Sequence, residues 1–97
     1  MARTLVLTDL ARRDLRDIHA YIAAESPANA DAFLADLTAR IEWIAEDGFT
    51  GVPRDHISEG LRAFPYRRRC IYFRHEQTRT LVLRVVHGAQ DVEQMQF

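Results

Sequence analysis

Three consecutive arginines, Arg67, Arg68 and Arg69, are followed along the chain by Arg74, Arg84 and His87. Each guanidinium is a planar fork of donors that grips a carboxylate or a phosphate through paired hydrogen bonds. Histidine titrates near neutral pH and can give or take a proton. Metal-independent RNA cleavage needs a base for the 2′-hydroxyl, an acid for the leaving oxygen and cations on the phosphate. Arg67, Arg69, Arg74 and Arg84 are candidates for the last task, and His87 for one of the first two. Without proton transfer, the same residues make an anchor for an acidic partner. The plain alternative for the triplet is a solvated strand end or hairpin. Strand alternation points Arg67 and Arg69 to one face and Arg68 to the other, so the three share a site only if the strand bulges.

Arg84 interrupts the apolar run LVLRVV at 81–86. A buried charge is costly unless paired, so Arg84 calls for a carboxylate: Asp91, or an aspartate of the first helix. The functional alternative is that Arg84 lines a partner groove. His87, at the end of the same run, suits a hydrogen-bonded structural role better than a catalytic one. The four histidines, His19, His56, His75 and His87, lack ligand spacing, so neither a metal site nor a cofactor is expected. The single cysteine, Cys70, lies in an apolar run and reads as a buried, inert thiol. The chain contains neither a phosphate-binding glycine loop nor a nucleophile elbow. No catalytic residue is assigned.

These residues must be positioned by a short list of elements. Residues 3–7 read as a strand. Thr8 or Asp9 caps a helix whose apolar stripe is Ala11, Leu15, Ile18 and Ile22. Ser26-Pro27 breaks the pattern and starts a second helix, with Ala30, Phe33, Leu34, Leu37, Ile41 and Ile44 as its stripe and Gly48 as its stop. Tyr21 and Trp43 lie beside these stripes and are expected on an exposed apolar patch that meets a partner. Residues 48–60, with three of the four glycines, form a loop. Arg62, just after Gly60 and Leu61, is placed to tie that loop to the sheet. Strands follow at 61–67, 69–75 and 80–87, the last near-continuously apolar and so expected in the sheet interior. The tail, 89–97, is polar and peripheral. The order β-α-α-β-β-β predicts one α+β domain over residues 1–97, with the helical hairpin packed on one face of a small, mainly antiparallel sheet.

Composition narrows the class. A chain of 97 residues with 47% hydrophobic and 28% charged residues is ordinary for one globular domain. Its apolar runs are too short for a membrane span or a signal segment, and a soluble, cytoplasmic protein is expected. The net charge of −1 gives no global signal for nucleic acid. The distribution is uneven: residues 1–49 carry five arginines and nine acids, residues 50–97 eight arginines and five acids. There is no lysine.

Four segments then resemble a known family. Residues 10–22, LARRDLRDIHAYI, resemble the opening helix of ParE-type toxins. GLRAFP at 60–65, IYFR at 71–74 and LRVVHGAQD at 83–91 resemble that family's later motifs, in the same order. The last motif has an arginine in the family where this chain has Gln90, and a glutamine makes no charged bidentate pair. The resemblance implies a toxin of a type II toxin–antitoxin system that binds and inhibits DNA gyrase. It implies neutralisation by a ParD-like antitoxin in a hetero-oligomer, with no membrane role and no sequence-specific nucleic-acid binding. Partner contacts are expected from Tyr21, Trp43, Arg62, Arg67, Arg69, Arg74, Arg84, His87 and Asp91.

The rival is a RelE-type, ribosome-dependent mRNA interferase of the same superfamily. Such members use clustered arginines and lysines, with a tyrosine or histidine in the C-terminal segment. This chain has no lysine, and no tyrosine or histidine follows His87. A degenerate, non-toxic member that only pairs with its antitoxin is the third alternative, motivated by Gln90. Removing residues 92–97 is expected to weaken toxicity more than antitoxin binding, because the tail is peripheral yet adjoins residues 87–91.

Overall fold

A computed structural model describes all residues except 1, 2, 89–93 and 96. Strand β1 (Thr4–Leu7) leads into helix α1 (Asp9–Ala23) through Thr8. The Thr8 hydroxyl accepts from the amide of Ala11 at 3.0 Å, satisfying an orphan donor of the first turn. It also donates to the Leu83 carbonyl at 2.9 Å, which pins the helix start to the sheet. Helix α2 (Pro27–Asp47) starts as its sequence demands: Ser26 accepts from the Asn29 amide at 3.2 Å and Pro27 occupies the first turn. It ends at Gly48, whose φ of +70° supplies the left-handed cap.

The remaining strands are β2 (Val52–Pro53), β3 (Arg62–Tyr66), β4 (Arg69–His75) and β5 (Arg79–His87). They form one sheet in the order β1-β5-β4-β3-β2, with β1 parallel to β5 and every other pair antiparallel. The α+β architecture and the element order follow the sequence expectation, with the two-residue β2 added at the far edge. β5 is interior, between β1 and β4.

Both helices pack on one face of the sheet. Ile18, Leu37, Ile41 and Ile44 meet Ile71, Phe73, Val82 and Val85 there. Strict alternation would send Val82 and Val85 to opposite faces. A bulge resolves the conflict. Tyr72 pairs with Arg84 and Phe73 with Val82, so Leu83 is an extra residue that resets the alternation. Leu83 and Val86 therefore join Leu61, Ala63, Cys70 and Tyr72 in a second apolar cluster on the other face. Ile57 of the 54–60 loop, Met95 and Phe97 pack against this cluster, and Phe97 meets Tyr72 edge-on at 5.3 Å. The tail is thus not wholly peripheral.

Cys70 belongs to this second cluster and is 6% exposed. Burial pushes its thiol above the ordinary value of 9.0. Burial likewise pushes Tyr72 up to about 12, helped by its hydrogen bond to Cys70. Because the thiolate is the nucleophile, native Cys70 is expected to react with a disulfide reagent at pH 8 at least roughly tenfold more slowly than the unfolded chain. The sign for stability follows. Both groups hold their protons more tightly when folded, so their contribution is complete below pH 9.0 and declines as pH rises toward about 12. Denaturation midpoints measured between pH 8 and 11 check this.

Candidate partner-binding site

β1 stops pairing with β5 at Leu7 opposite Val82. Beyond that point β5 has no strand neighbour on this side among the described residues, and α1 takes over. Asp14 projects from α1 and accepts the amide of Val85 at 2.9 Å. The same carboxylate receives Arg84 in a two-pronged pair, Nε to Oδ2 at 2.7 Å and Nη2 to Oδ1 at 2.9 Å. The side chains are only 10% and 14% exposed. The hydrogen bond to Asp14 raises the guanidinium pKa above its ordinary value. The expectation that Arg84 pairs with an internal carboxylate therefore holds, with Asp14 as a partner. Asp91 lies outside the described residues, as does Gln90.

Asp14 borders a cleft of about 640 Å³ at this end of the molecule. Its apolar floor includes Ile18, Ile22, Phe33 and Val85, and Tyr21, 76% exposed, stands at its rim. Arg67, Arg68, Arg69 and His87 line the opposite side. Four arginines against Asp14 and Asp17 give the lining a formal charge of +2, in a chain whose total is −1.

The arginine triplet departs from strand alternation. Tyr66 pairs with Arg69, so Arg67 and Arg68 are the two residues of the β3–β4 hairpin turn. Their φ angles, +48° and +66°, are both left-handed, the signature of a type I′ turn. Such turns favour Asn-Gly, and each residue with a Cβ costs about 1 kcal/mol in this region. Because the triplet turns instead of extending, all three arginines reach one cleft, and the expected separation of Arg68 is overturned. The Arg68 carbonyl accepts from the Gly88 amide at 2.8 Å, which locks the turn to the end of β5 and brings His87 alongside. Arg67 pairs with Asp36 of α2 at 3.2 Å, and Tyr66 donates its hydroxyl to the same carboxylate at 2.5 Å. Arg40 and Arg67 both lie over the Tyr66 ring, at 5.3 and 5.6 Å. Among the described residues, the side chains of Arg68 and Arg69 have no hydrogen-bonding or ionic partner.

Three other candidates lie elsewhere. Trp43 is 37% exposed and packs its ring, tilted, against Phe49 at 4.9 Å and Phe64 at 6.0 Å, and it does not line the cleft beside Tyr21. Arg74 donates to the Glu59 carbonyl at 3.1 Å and to the Ser58 hydroxyl at 2.9 Å. Tying the loop to the sheet, the task expected of Arg62, thus falls to Arg74. Arg62 is half-buried in β3, opposite Pro53 and Phe73.

The other histidines are scattered. His75 bridges the Phe49 carbonyl at 2.6 Å and the Thr80 hydroxyl at 2.8 Å, and His19 meets Asp31 at 2.7 Å. Among the described residues, no group of three or more His, Cys, Asp or Glu is placed to hold a metal ion. None of the described helices is long and apolar enough to cross a membrane.

Asp14, Arg68 and Phe33 were not among the expected partner contacts, although an aspartate of the first helix was expected opposite Arg84. Asp14 carried a signal, because it sits three residues after Ala11 and four before Ile18, on the buried stripe of α1. A carboxylate there must have a partner.

Residues 5–92 match the sequence model of a family described as ParE toxin of type II toxin–antitoxin system, parDE. The chain belongs to this ParE toxin family. No curated protein sequence matches it. Among solved structures it resembles a chain of the chromosomal ParDE toxin–antitoxin system of P. aeruginosa, with a TM-score of 0.76 and 20% identity over 89% of this chain and 96% of that one. It also resembles a chain of a RelBE toxin–antitoxin complex of Mycobacterium tuberculosis, with a TM-score of 0.62 and 21% identity over 93% and 95%. At such identities the likeness extends to the fold. The ParE toxin family places this chain among type II toxin–antitoxin toxins. Its cleft suits recognition: an apolar floor, an exposed tyrosine and cations on one wall.

Proposed function

We propose that this ParE-family toxin acts by binding DNA gyrase and stopping its cycle, and that a ParD-like antitoxin bound over the cleft holds it inactive in the cytoplasm. The observation that carries the non-enzymatic reading is the Asp14–Arg84 pair. Arg84 lines the cleft with its side chain only 14% exposed, and it is one of the arginines an RNA-cleaving site would draw on for phosphate charge. Here both prongs of its fork rest on Asp14, and Val85 adds a third bond to that carboxylate. Breaking this arrangement to admit a phosphate would leave a carboxylate buried beside a second anion.

The RelE-type reading has one observation in its favour: His87 shares the cleft with Arg67, Arg68 and Arg69. Two assays separate the two. In the first, purified toxin is added to gyrase and relaxed plasmid, and supercoiling is expected to stop. In the second, it is added to programmed ribosomes, and mRNA is expected to stay whole. Trimmed mRNA with gyrase unaffected would refute the proposal.

A further inference from the structure

The hairpin turn at Arg67 and Arg68 is the least expected backbone in the molecule. Both residues have left-handed φ, and neither is the glycine or asparagine that tolerates it. The fold itself does not ask for arginine there. A two-residue turn closing the Tyr66–Arg69 pair would form more readily from Asn-Gly. What arginine adds is position. The Gly88-to-Arg68 backbone bond and the Arg67–Asp36 pair hold the turn over one end of the cleft. From there a second depression continues along α2, past Phe33 to Asn29, and a third runs from Tyr21 to Ser26. The three share Ile22, so they form one groove with an apolar middle and a cationic end.

Charge decides what can lie in such a groove. Asp17 and Asp36 also line it, Asp36 paired with Arg67, whereas the side chains of Arg68 and Arg69 have no partner among the described residues. A nucleic acid strand carries a phosphate at every step and would run against those carboxylates. A polypeptide can place its acids at one end and apolar side chains over the rest. We propose that the strained Arg67–Arg68 turn is kept because it holds guanidiniums over the mouth of this groove. There they take carboxylates of an acidic, amphipathic partner segment whose apolar side chains lie on Tyr21, Ile22 and Phe33. This deepens the toxin–antitoxin reading above, on which it rests, by assigning the chemistry of the antitoxin's docking segment and the element that receives it.

The test uses the full chain and the antitoxin encoded beside it. R67N/R68G relaxes the turn and removes both cations, whereas R67K/R68K keeps the charge. Relaxing the turn should raise the melting temperature of the free toxin by roughly 4–8 °C. The antitoxin should associate with R67N/R68G about tenfold more slowly at low salt, and with a weaker salt dependence. R67K/R68K should associate within about threefold of wild type, since steering follows charge. An unchanged association rate for R67N/R68G, or a melting temperature at or below wild type, overturns the latch. So does loss of binding to a labelled single-stranded RNA with antitoxin binding intact. Antitoxin bound by neither form overturns the antitoxin reading itself.

Discussion

Replacing Asp14 with alanine is expected to destabilise the protein by about 3–5 kcal/mol, the usual cost of removing one partner from a buried ion pair. Two losses add here. Arg84, 14% exposed at its side chain, keeps its charge and loses its two-pronged acceptor. The Val85 amide loses its acceptor where β5 has, among the described residues, no strand neighbour on that side, and an unsatisfied buried donor costs about 1–3 kcal/mol by itself. Against the roughly 5–15 kcal/mol that holds an ordinary domain together, this is a large fraction. Urea denaturation measures it, and the pattern across variants identifies the cause. D14N keeps an acceptor for Val85 and should lose less. D14L/R84M removes both charges together and should recover much of the loss, because well-packed apolar replacements of a buried pair are often neutral or better. A loss under about 1 kcal/mol for D14A would mean that Arg84 finds water, and that the pair is an ordinary surface bridge.

The same pair marks where sequence reasoning reaches and where it stops. That Arg84 must have a carboxylate is local knowledge: a charge inside an apolar run has no other outlet. Which carboxylate is non-local, because β1 had to end at Leu7 before α1 could bring Asp14 to β5. The second helix was legible to the residue at its start and its stop, and the first to within one position, Thr8 or Asp9, because such caps act through bonds within a few positions of themselves. β2 left no trace, since two residues carry no periodicity and Val52–Pro53 is a strand only because β3 lies beside it. Trp43 is partly exposed, as its place beside the stripe predicts; what the stripe could not show is Phe49, which the loop after α2 folds back against it. Arg68 shows a different limit. A hairpin stood only as the plain alternative for the triplet, because neither glycine nor asparagine marks the turn, and alternation was carried through a point where the chain reverses. Strain of that kind breaks a local rule, and broken local rules concentrate at working sites.

The tail poses the same question as a measurable choice. The motive for expecting it to matter more for toxicity than for antitoxin binding was that it is polar and peripheral yet adjoins residues 87–91. Met95 and Phe97 instead help cover the second face of the sheet, where Tyr72, Leu83 and Val86 are nearly buried. M95A/F97A is therefore expected to destabilise by about 2–3 kcal/mol, less than full burial of both side chains would imply, because each is only half-buried. Part of that should be specific to the edge-on contact of Phe97 with Tyr72, and a double-mutant cycle on those two positions should return a coupling of about 0.5–1.5 kcal/mol. If the tail acts through the fold, toxicity and antitoxin binding should fall together as temperature approaches the lowered melting point. Both should then return on cooling. If toxicity is lost at temperatures where circular dichroism shows the variant folded and antitoxin still binds, the tail touches the target directly. The second face, which Phe97 covers, would then be the surface presented to it. The cleft beside Tyr21 and the Arg67–Arg68 turn would be left to the antitoxin, and one small domain would keep its two partners on opposite sides of a single sheet.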